Sequence, residues 1–123
     1  VWDHKDLGSA LTDATAVGKP ILLLFDQDGC PTCTLLERGV LTAPSFVSAV
    51  EGNFVTLRLN ACTDRDVAKR FKLLGTPTLI LLRPDGTEIS RQVGARSLGS
   101  GLRLLRTGVT AEIAPAVKVK KFF

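Results

Sequence analysis

The sequence predicts an α/β fold in which a central mixed β-sheet is flanked by helices. Two continuous apolar runs, residues 21–25 and 54–59, are typical of strands that are buried on both faces. Segments with helical spacing of apolar residues separate these runs, which implies parallel crossover connections. A third run, "PTLILLR", is joined by the turn "PDG" to the alternating segment "TEISRQV" and adds an antiparallel hairpin.

The first helix lies in "HKDLGSALTDATAVGKP", before the first strand. Leu7, Leu11 and Ala14 recur at helical spacing, and Gly18 and Pro20 end the helix. The first strand follows, and the loop "DQDG" comes after it. This loop therefore connects a buried strand to the next helix.

The second helix begins near Pro31, because proline suits the first turn of a helix. It carries Leu35, Leu36 and Val40 as its apolar residues. Pro44 interrupts the pattern, and "SFVSAV" resumes it. We therefore expect two helical segments between the first and second strands.

The second half of the chain completes the order α-β-α-β-α-β-β-α. "TDRDVAKRF" predicts a helix with Thr63 as its cap and acidic residues in its first turn. "SLGSGLRLLRTG" predicts a weaker helix that contains glycines. Residues 1–108 are expected to form one domain, and the pattern of the tail, residues 109–123, is ambiguous and is assigned no element.

Composition limits the possible functions. The 123 residues are 45% hydrophobic and 23% charged, with a net charge of +4, an ordinary balance for a globular domain. The basic residues are scattered and lack interleaved aromatics, which argues against nucleic-acid binding. The longest apolar run, "PILLLF", is far shorter than the roughly 20 residues of a membrane span. The chain contains no methionine, so we expect a processed or excised domain whose removed segment was a secretory signal or a membrane anchor.

Two cysteines stand where the first strand gives way to a helix. Free N–H groups and the helix dipole at Cys30 favour a thiolate, which is the form of cysteine that attacks disulfides. Cys33 lies one turn further along and can close a small disulfide with Cys30. Pro31 fixes one backbone angle between them. This arrangement predicts a nucleophile that faces solvent and a more sheltered second thiol.

Two other interpretations of the pair are considered. A purely structural disulfide would close so short a loop that it would restrict the unfolded chain very little. A metal site would need two more ligands, and the remaining candidates are Cys62 and the single histidine, His4. No second closely spaced pair of ligands accompanies Cys30 and Cys33.

Over residues 5–108 the chain resembles the thioredoxin family. "CPTC" matches the family's active-site motif, and "GTPTLILL" resembles its cis-proline strand, which makes Pro77 the expected cis-proline. "PDGTEISRQVGA" resembles the hairpin that leads to the family's glycine beside the active site, here Gly94, and "LRLNA" resembles the central strand. The segment from "GKPILLLF" to "SFVSAV" is most similar to the periplasmic branch, which includes the C-terminal domain of DsbD proteins.

The resemblance implies a thioredoxin fold and a thiol-disulfide oxidoreductase. Cys30 would attack a protein disulfide and Cys33 would resolve the mixed disulfide, without a cofactor or a metal. The implied partners are protein thiols or disulfides and an upstream redox donor in the membrane or periplasm. The protein would be a monomer that is periplasmic or otherwise exported from a bacterial cell, with the removed N-terminal segment as its possible anchor. The resemblance also implies a groove that receives the substrate peptide as an added strand, bordered by Pro31, Thr32, Thr76, Pro77 and Gly94.

The chain departs from the thioredoxin pattern at several positions. Gly29 replaces a tryptophan, and Leu24 replaces a buried aspartate that helps to take the proton from the second cysteine. Glu37 matches a glutamate of the DsbD domain, so it is the candidate substitute for that aspartate, as a third catalytic residue. The competing interpretation of Glu37 is an exposed helix carboxylate.

Two further side chains have more than one interpretation. Arg58 replaces a strand lysine; Asp26, Asp28 or Glu37 could pair with it, or it could extend to solvent. Cys62, after the second strand, is expected to be a small buried residue, and a second redox contact is the alternative.

Two further functions are weighed against exchange. A thioredoxin-fold binding module would use the groove without turnover. A metallochaperone would carry copper(I) on the two thiolates, and the lack of methionine weakens that possibility.

Overall fold

The computed structural model describes residues 2–109. Residues 110–123, and with them nearly all of the tail set apart above, lie outside the described residues. The helices are α1 (Leu7–Val17), α2 (Pro31–Leu36), α3 (Pro44–Val50), α4 (Arg65–Arg70) and α5, whose described part covers residues 98–109. The strands are β1 (Ile21–Asp26), β2 (Val55–Asn60), β3 (Thr78–Leu82) and β4 (Glu88–Val93).

The four strands form one mixed sheet in the order β2-β1-β3-β4. β1 pairs with β2 in parallel, while β3 runs antiparallel to both β1 and β4. The parallel pair requires a crossover, which α2 and α3 supply, and β3 and β4 form the expected hairpin. The mixed sheet predicted from the sequence is therefore confirmed.

Helices cover both faces of the sheet. On one face, α1 and α4 pack against alternate residues of the central strands, including Leu23 and Phe25. On the other face, α2, α3 and α5 pack against the intervening residues, including Leu22 and Leu24. β1 is consequently buried on both sides, which explains why its apolar run is continuous rather than alternating.

Glycines of α5 let this helix approach the sheet closely. A Cβ atom at Gly101 would lie 2.9 Å from Cγ1 of Val40, and one at Gly108 would lie 2.8 Å from Cδ1 of Leu81. Any larger residue would push the helix away from its neighbours. The glycines that weaken the helical pattern of the sequence thus have a packing function.

Two details of the predicted helices are wrong. Leu35, expected among the apolar residues of the second helix, is 62% exposed, because Leu36 occupies the side of α2 that packs against the sheet and its neighbour in the helix points elsewhere. α2 also continues into a π-helical turn at Glu37–Leu41. Asp64, not Thr63, occupies the cap position of α4. The Asp64 carboxylate accepts a hydrogen bond from the N–H of Asn60 at 2.8 Å and makes no side-chain cap.

Within residues 2–109, no helix combines the length and the hydropathy that crossing a lipid bilayer requires.

Candidate active site

Cys30 lies between the end of β1 and the start of α2. It is the N-cap residue of α2, and Pro31 is the first helical residue. Cys30 and Cys33 form a disulfide, with their Cα atoms 5.2 Å apart. The N–H of Cys33 donates to Sγ of Cys30 at 3.2 Å. The helix start thus holds the first sulfur against a free backbone donor, as the sequence predicts.

The loop before β3 crosses directly over this sulfur. The peptide bond between Thr76 and Pro77 is cis. Oγ1 of Thr76 lies 3.5 Å from Sγ of Cys30, and Oγ1 of Thr32 lies 3.3 Å from the same sulfur. The Thr32 hydroxyl also donates to the carbonyl of Thr76 at 3.3 Å. Two hydroxyl groups therefore surround the first sulfur, and one of them also reaches the backbone of the proline loop.

The end of β4 completes this region. The N–H of Gly94 donates to the carbonyl of Pro77 at 2.8 Å, and Gly94 has a φ of 88°, which favours glycine. Pro31 and Pro77 line one cavity with both cysteines. Four of the residues predicted to border a peptide groove thus share a hydrogen bond or a cavity with Cys30, and Gly94 is linked to this group through Pro77.

The expected difference in exposure between the two cysteines is wrong for this disulfide-bonded structure. Cys30 is only 9% exposed, whereas Cys33 is more accessible. The physical reason is the loop at Thr76, which covers Cys30 from the side opposite the helix. Both cysteines nevertheless line the same open cavity of about 500 Å³.

Charged residues form a network on the α2 side of this cavity. Nε of Arg58 donates to Oδ2 of Asp26 at 2.9 Å, and Nη1 of Arg58 lies 3.8 Å from Oε1 of Glu37. Asp28 lines the cavity but makes no ion pair with Arg58. Among the partners that the sequence left open, the structure therefore selects Asp26 first and Glu37 second.

Leu24 occupies the sheet position beside this network. It is 2% exposed and pairs with Arg58 in the parallel register of β1 and β2. Leu57 and Leu59 belong to the opposite face, so Arg58 projects on the side of Leu24. The inner wall of the cavity is thus apolar, and its charges lie nearer the surface.

Cys62 is exposed, so the expectation of a small buried residue is wrong. Cys62 lies in a turn two residues after Asn60, the last residue of β2, and its N–H donates to Oδ1 of Asn60 at 2.8 Å. It is exposed because this turn lies beyond the part of the strand that the helices cover. Its sulfur lies 3.5 Å from Oε1 of Gln27, a residue of the cavity wall.

His4, the other candidate metal ligand, contacts Asp13, with Nε2 of the histidine 2.8 Å from Oδ2 of the aspartate. No group of three or more His, Cys, Asp and Glu side chains within residues 2–109 could hold a metal ion.

Leu74 is an exposed apolar residue that the sequence pattern did not single out. It is 86% exposed and lies two residues before Thr76 in the chain. The available signal was an apolar residue outside any periodic element, next to the "GTP" turn.

The site combines three features: a four-stranded sheet with helices on both faces, a disulfide between two cysteines at a helix start, and a cis-proline loop over the first sulfur. Together they define a thiol-disulfide oxidoreductase site. The chain belongs to the family whose model is described as "Thioredoxin-like domain", which matches residues 7–107.

Similar curated proteins support this chemistry. The chain is 33% identical over 110 residues to "Thiol:disulfide interchange protein DsbD 1" of Pseudomonas aeruginosa, covering 82% of this chain and 18% of that protein. It is 32% identical over 118 residues to "Thiol:disulfide interchange protein DsbD" of Ralstonia nicotianae, covering 91% of this chain and 19% of that protein. The chain therefore spans about a fifth of the length of these relatives.

Solved structures agree with the fold. A thioredoxin from Thermus thermophilus has a TM-score of 0.82 at 27% identity, covering 94% of this chain and 92% of that one. The oxidised C-terminal domain of DsbD from Neisseria meningitidis has a TM-score of 0.71 at 20% identity, covering 82% of this chain and 90% of that one. At 20% identity, the second likeness concerns the fold alone.

Proposed function

We propose that the protein exchanges electrons with protein disulfides or dithiols through Cys30 as the nucleophile and Cys33 as the resolving thiol. The observation that carries this proposal is the position of the Cys30 sulfur. It lies at a helix start, accepts a backbone N–H and is bordered by the proline loop. A helix start of this kind stabilises a thiolate, the attacking species in disulfide exchange.

The reaction balances over two steps. The Cys30 thiolate attacks one sulfur of a substrate disulfide, which forms a mixed disulfide and releases the other substrate sulfur as a thiolate. Cys33 then loses its proton and attacks the Cys30 sulfur, which releases the second substrate thiolate. The substrate gains two electrons, and Cys30–Cys33 is left oxidised; reduction potentials decide whether the reverse direction prevails.

Thr32 and Thr76 stabilise the reduced form in this scheme. A thiolate is a stronger hydrogen-bond acceptor than a disulfide sulfur, and both hydroxyls lie within 3.5 Å of Cys30. When Cys30 is reduced, the Thr32 hydroxyl turns from the Thr76 carbonyl to the thiolate. That carbonyl then becomes free to accept an N–H from an incoming peptide.

The substrate peptide docks as an extended strand along Thr76, with Pro77 and Gly94 forming the end of the groove. The exposed side chain of Leu74 adds an apolar contact beside this edge. Main-chain hydrogen bonds give such docking little dependence on the substrate's sequence, which suits a protein that accepts more than one partner.

Glu37 assists proton transfer from Cys33. It lies four residues after Cys33 on the same helical segment, so both side chains project towards the same cavity. No aspartate occupies the sheet position of Leu24, and Glu37 is held near Arg58 at 3.8 Å. We assign it a positioning role, with water carrying the proton between the carboxylate and the thiol.

The names of the relatives support the proposed partners. They are named thiol:disulfide interchange proteins, so protein thiols or disulfides are the proposed substrates and a redox protein is the proposed donor. We propose an exported, periplasmic domain that acts as a monomer, supplied with electrons by a membrane or periplasmic protein.

A trapping experiment tests the mechanism. In a Cys62→Ala background, which removes the exposed third thiol, Cys33→Ala should form persistent mixed disulfides with proteins of a periplasmic extract, because no neighbouring thiol can release them. Cys30→Ala is the matched control and should trap far less. Non-reducing electrophoresis detects the adducts as bands that vanish on reduction.

Substitution of Pro77 in the Cys33→Ala protein should weaken trapping, since the groove edge changes shape. Equal capture by the Cys33→Ala and Cys30→Ala proteins would contradict the assigned order of attack. Absence of capture by both would favour a binding module that has the fold without turnover.

A further inference from the structure

A second groove lies between β4 and α5, on the side of the proline loop away from α2. Its volume is about 490 Å³, and it is open to solvent. Ser90 and Thr107, whose hydroxyls are 2.8 Å apart, join its strand wall to its helix wall. Gln92, also in this wall, has a buried amide nitrogen without a hydrogen-bond partner within residues 2–109. The proposed exchange reaction uses none of these residues.

The groove has an excess of positive charge. Arg96 and Arg103 line it and are exposed, and no residue of its lining is acidic. Nε of Arg96 donates to the carbonyl of Val93 at 3.2 Å, and Nη2 of Arg103 donates to the Ser100 hydroxyl at 3.1 Å. Within residues 2–109, neither guanidinium has a carboxylate within salt-bridge distance.

The sequence reinforces this imbalance. Residues 89–109 include four arginines and no aspartate or glutamate. Arg91, at the strand end of this segment, is neutralised by Glu88, with Nε of the arginine 2.7 Å from Oε2 of the glutamate. The charges of Arg96 and Arg103 remain available to a molecule that enters the groove.

The groove adjoins the redox site through the backbone. The N–H of Gly94 donates a hydrogen bond to the carbonyl of Pro77. Arg96 lies two residues after Gly94, so the Cα atoms of these two residues are at most about 7 Å apart. A peptide that lies along Thr76 with its disulfide at Cys30 can therefore extend past Gly94 into the groove. Its side chains a few residues from the reacting cysteine would then meet Arg96 and Arg103.

We infer that the groove between β4 and α5 docks an acidic segment of the polypeptide whose disulfide reacts at Cys30. This inference rests on the proposed exchange function and adds the chemistry of the partner. Guanidinium groups bind carboxylates in bidentate geometry, and the neighbouring hydroxyls supply further donors. Complementary charge of this kind accelerates encounter and sets partner preference more than it raises affinity.

The experiment compares two synthetic peptides of about ten residues, each with one cysteine in a mixed disulfide with a chromophoric thiol. One carries four acidic residues, at three and four positions from the cysteine on each side, and the other carries the corresponding amides. Release of the chromophore by the reduced protein gives a second-order rate constant. The proteins compared are the wild type, the double variant Arg96→Gln with Arg103→Gln, and the control Lys69→Gln with Arg70→Gln, which removes two charges from α4 on the opposite face.

The wild type and the control should react about fivefold faster with the acidic peptide than with the amide peptide at low salt. The groove variant should lose this preference and keep its rate with the amide peptide. Raising the salt concentration should have the same effect on the wild type. Equal rates for the two peptides with the wild type, or a preference that survives in the groove variant, would overturn the inference.

Binding of a cysteine-free acidic peptide, measured by fluorescence anisotropy, separates docking from exchange. Weaker binding by the groove variant than by the control supports the groove even if neither reactive peptide turns over, an outcome that would reject only the exchange function. Identical binding by these two variants overturns the groove and leaves exchange intact.

Discussion

The arginines on the two sides of the redox site differ in whether they contact carboxylates. On the α2 side, Asp26, Arg58 and Glu37 form a network in which the arginine contacts both carboxylates. On the β4 and α5 side, the hydrogen bonds of Arg96 and Arg103 within residues 2–109 go only to a backbone carbonyl and a hydroxyl. Both sides adjoin Cys30 or the loop that covers it, so the difference is not one of distance from the chemistry.

We propose that the two sides serve different steps of the exchange reaction. The contacts of Arg58 with Asp26 and Glu37 hold a carboxylate beside the cavity that Cys33 lines, which suits local proton transfer. Unpaired charges on an open groove act on what approaches from solvent, which suits partner choice. Three predictions test this contrast, two on the α2 side and one on the β4 side.

Leu24→Asp should have the largest effect, because it buries a new carboxylate on the α2 side, where Arg58 already contacts two carboxylates. Arg58 is already bonded to Asp26, so the new charge stays largely uncompensated, and the free energy of unfolding should fall by about 3 kcal/mol or more at pH 7. Burial raises the pKa of the introduced carboxyl above its unfolded value. The loss of stability should therefore grow as pH rises from 4 to 7.

Urea unfolding at both pH values measures this effect. Leu24→Asn is the matched control, since it has a similar shape and no titration, and its cost should be the same at pH 4 and pH 7. A Leu24→Asp protein that is no less stable at pH 7 than at pH 4 would mean that Arg58 can neutralise a second carboxylate.

Glu37→Gln should have an intermediate effect on the same side. Loss of the carboxylate should slow release of the mixed disulfide by about tenfold at pH 6, below the usual range for a direct general base because water intervenes. The deficit should shrink towards pH 8, where solvent deprotonates the thiol more readily. Stopped-flow measurement of the resolving step, with Glu51→Gln as control, gives the pH–rate profile. An unchanged profile would make Glu37 an exposed helix carboxylate and nothing more.

Glu88→Gln should have the smallest effect, on the other side of the site. The hydrogen bond and charge of Arg91 hold the pKa of Glu88 below its usual range. Its contribution is present above the unfolded pKa and is lost as pH falls through the folded value. The variant should thus be a few tenths of a kcal/mol less stable than the wild type at pH 7 and equally stable near pH 2.

Thermal unfolding across this pH range checks the prediction for Glu88. Arg96→Gln should leave stability unchanged at every pH, since Arg96 has no carboxylate partner within residues 2–109. A pH-dependent loss in the Arg96 variant would reveal a salt bridge and remove the contrast between the two arginines.

Most of the fold could be predicted from the sequence. Continuous apolar runs identify strands buried on both faces, and helical spacing between them requires a crossover. The hairpin of β3 and β4 follows from the turn "PDG". The π-helical turn after α2 could not be predicted, because the apolar spacing of Leu36 and Val40 suits an ordinary helix equally well.

Less of the site could be predicted. The cysteine pair and the proline loop are local motifs, whereas the partner of Arg58 depends on the register of β1 and β2. The solvent exposure of the cysteines was the property that the sequence predicted least well. Cys62 is exposed because it lies beyond the covered end of β2, and Cys30 is covered by a loop 46 residues away.

Local sequence patterns were enough to predict the order of elements, the position of the two cysteines at a helix start and the burial of β1 on both faces of the sheet. These properties depend on the spacing of apolar residues, turn residues and caps along a short stretch of chain. Long-range packing was needed to show that Thr32 and Thr76 meet at one sulfur, that Asp26 pairs with Arg58, and that Arg96 and Arg103 line a groove without an acidic residue. Such contacts join residues distant in sequence, and apolar periodicity, which directs a side chain to one face, does not specify the polar atoms that it meets there.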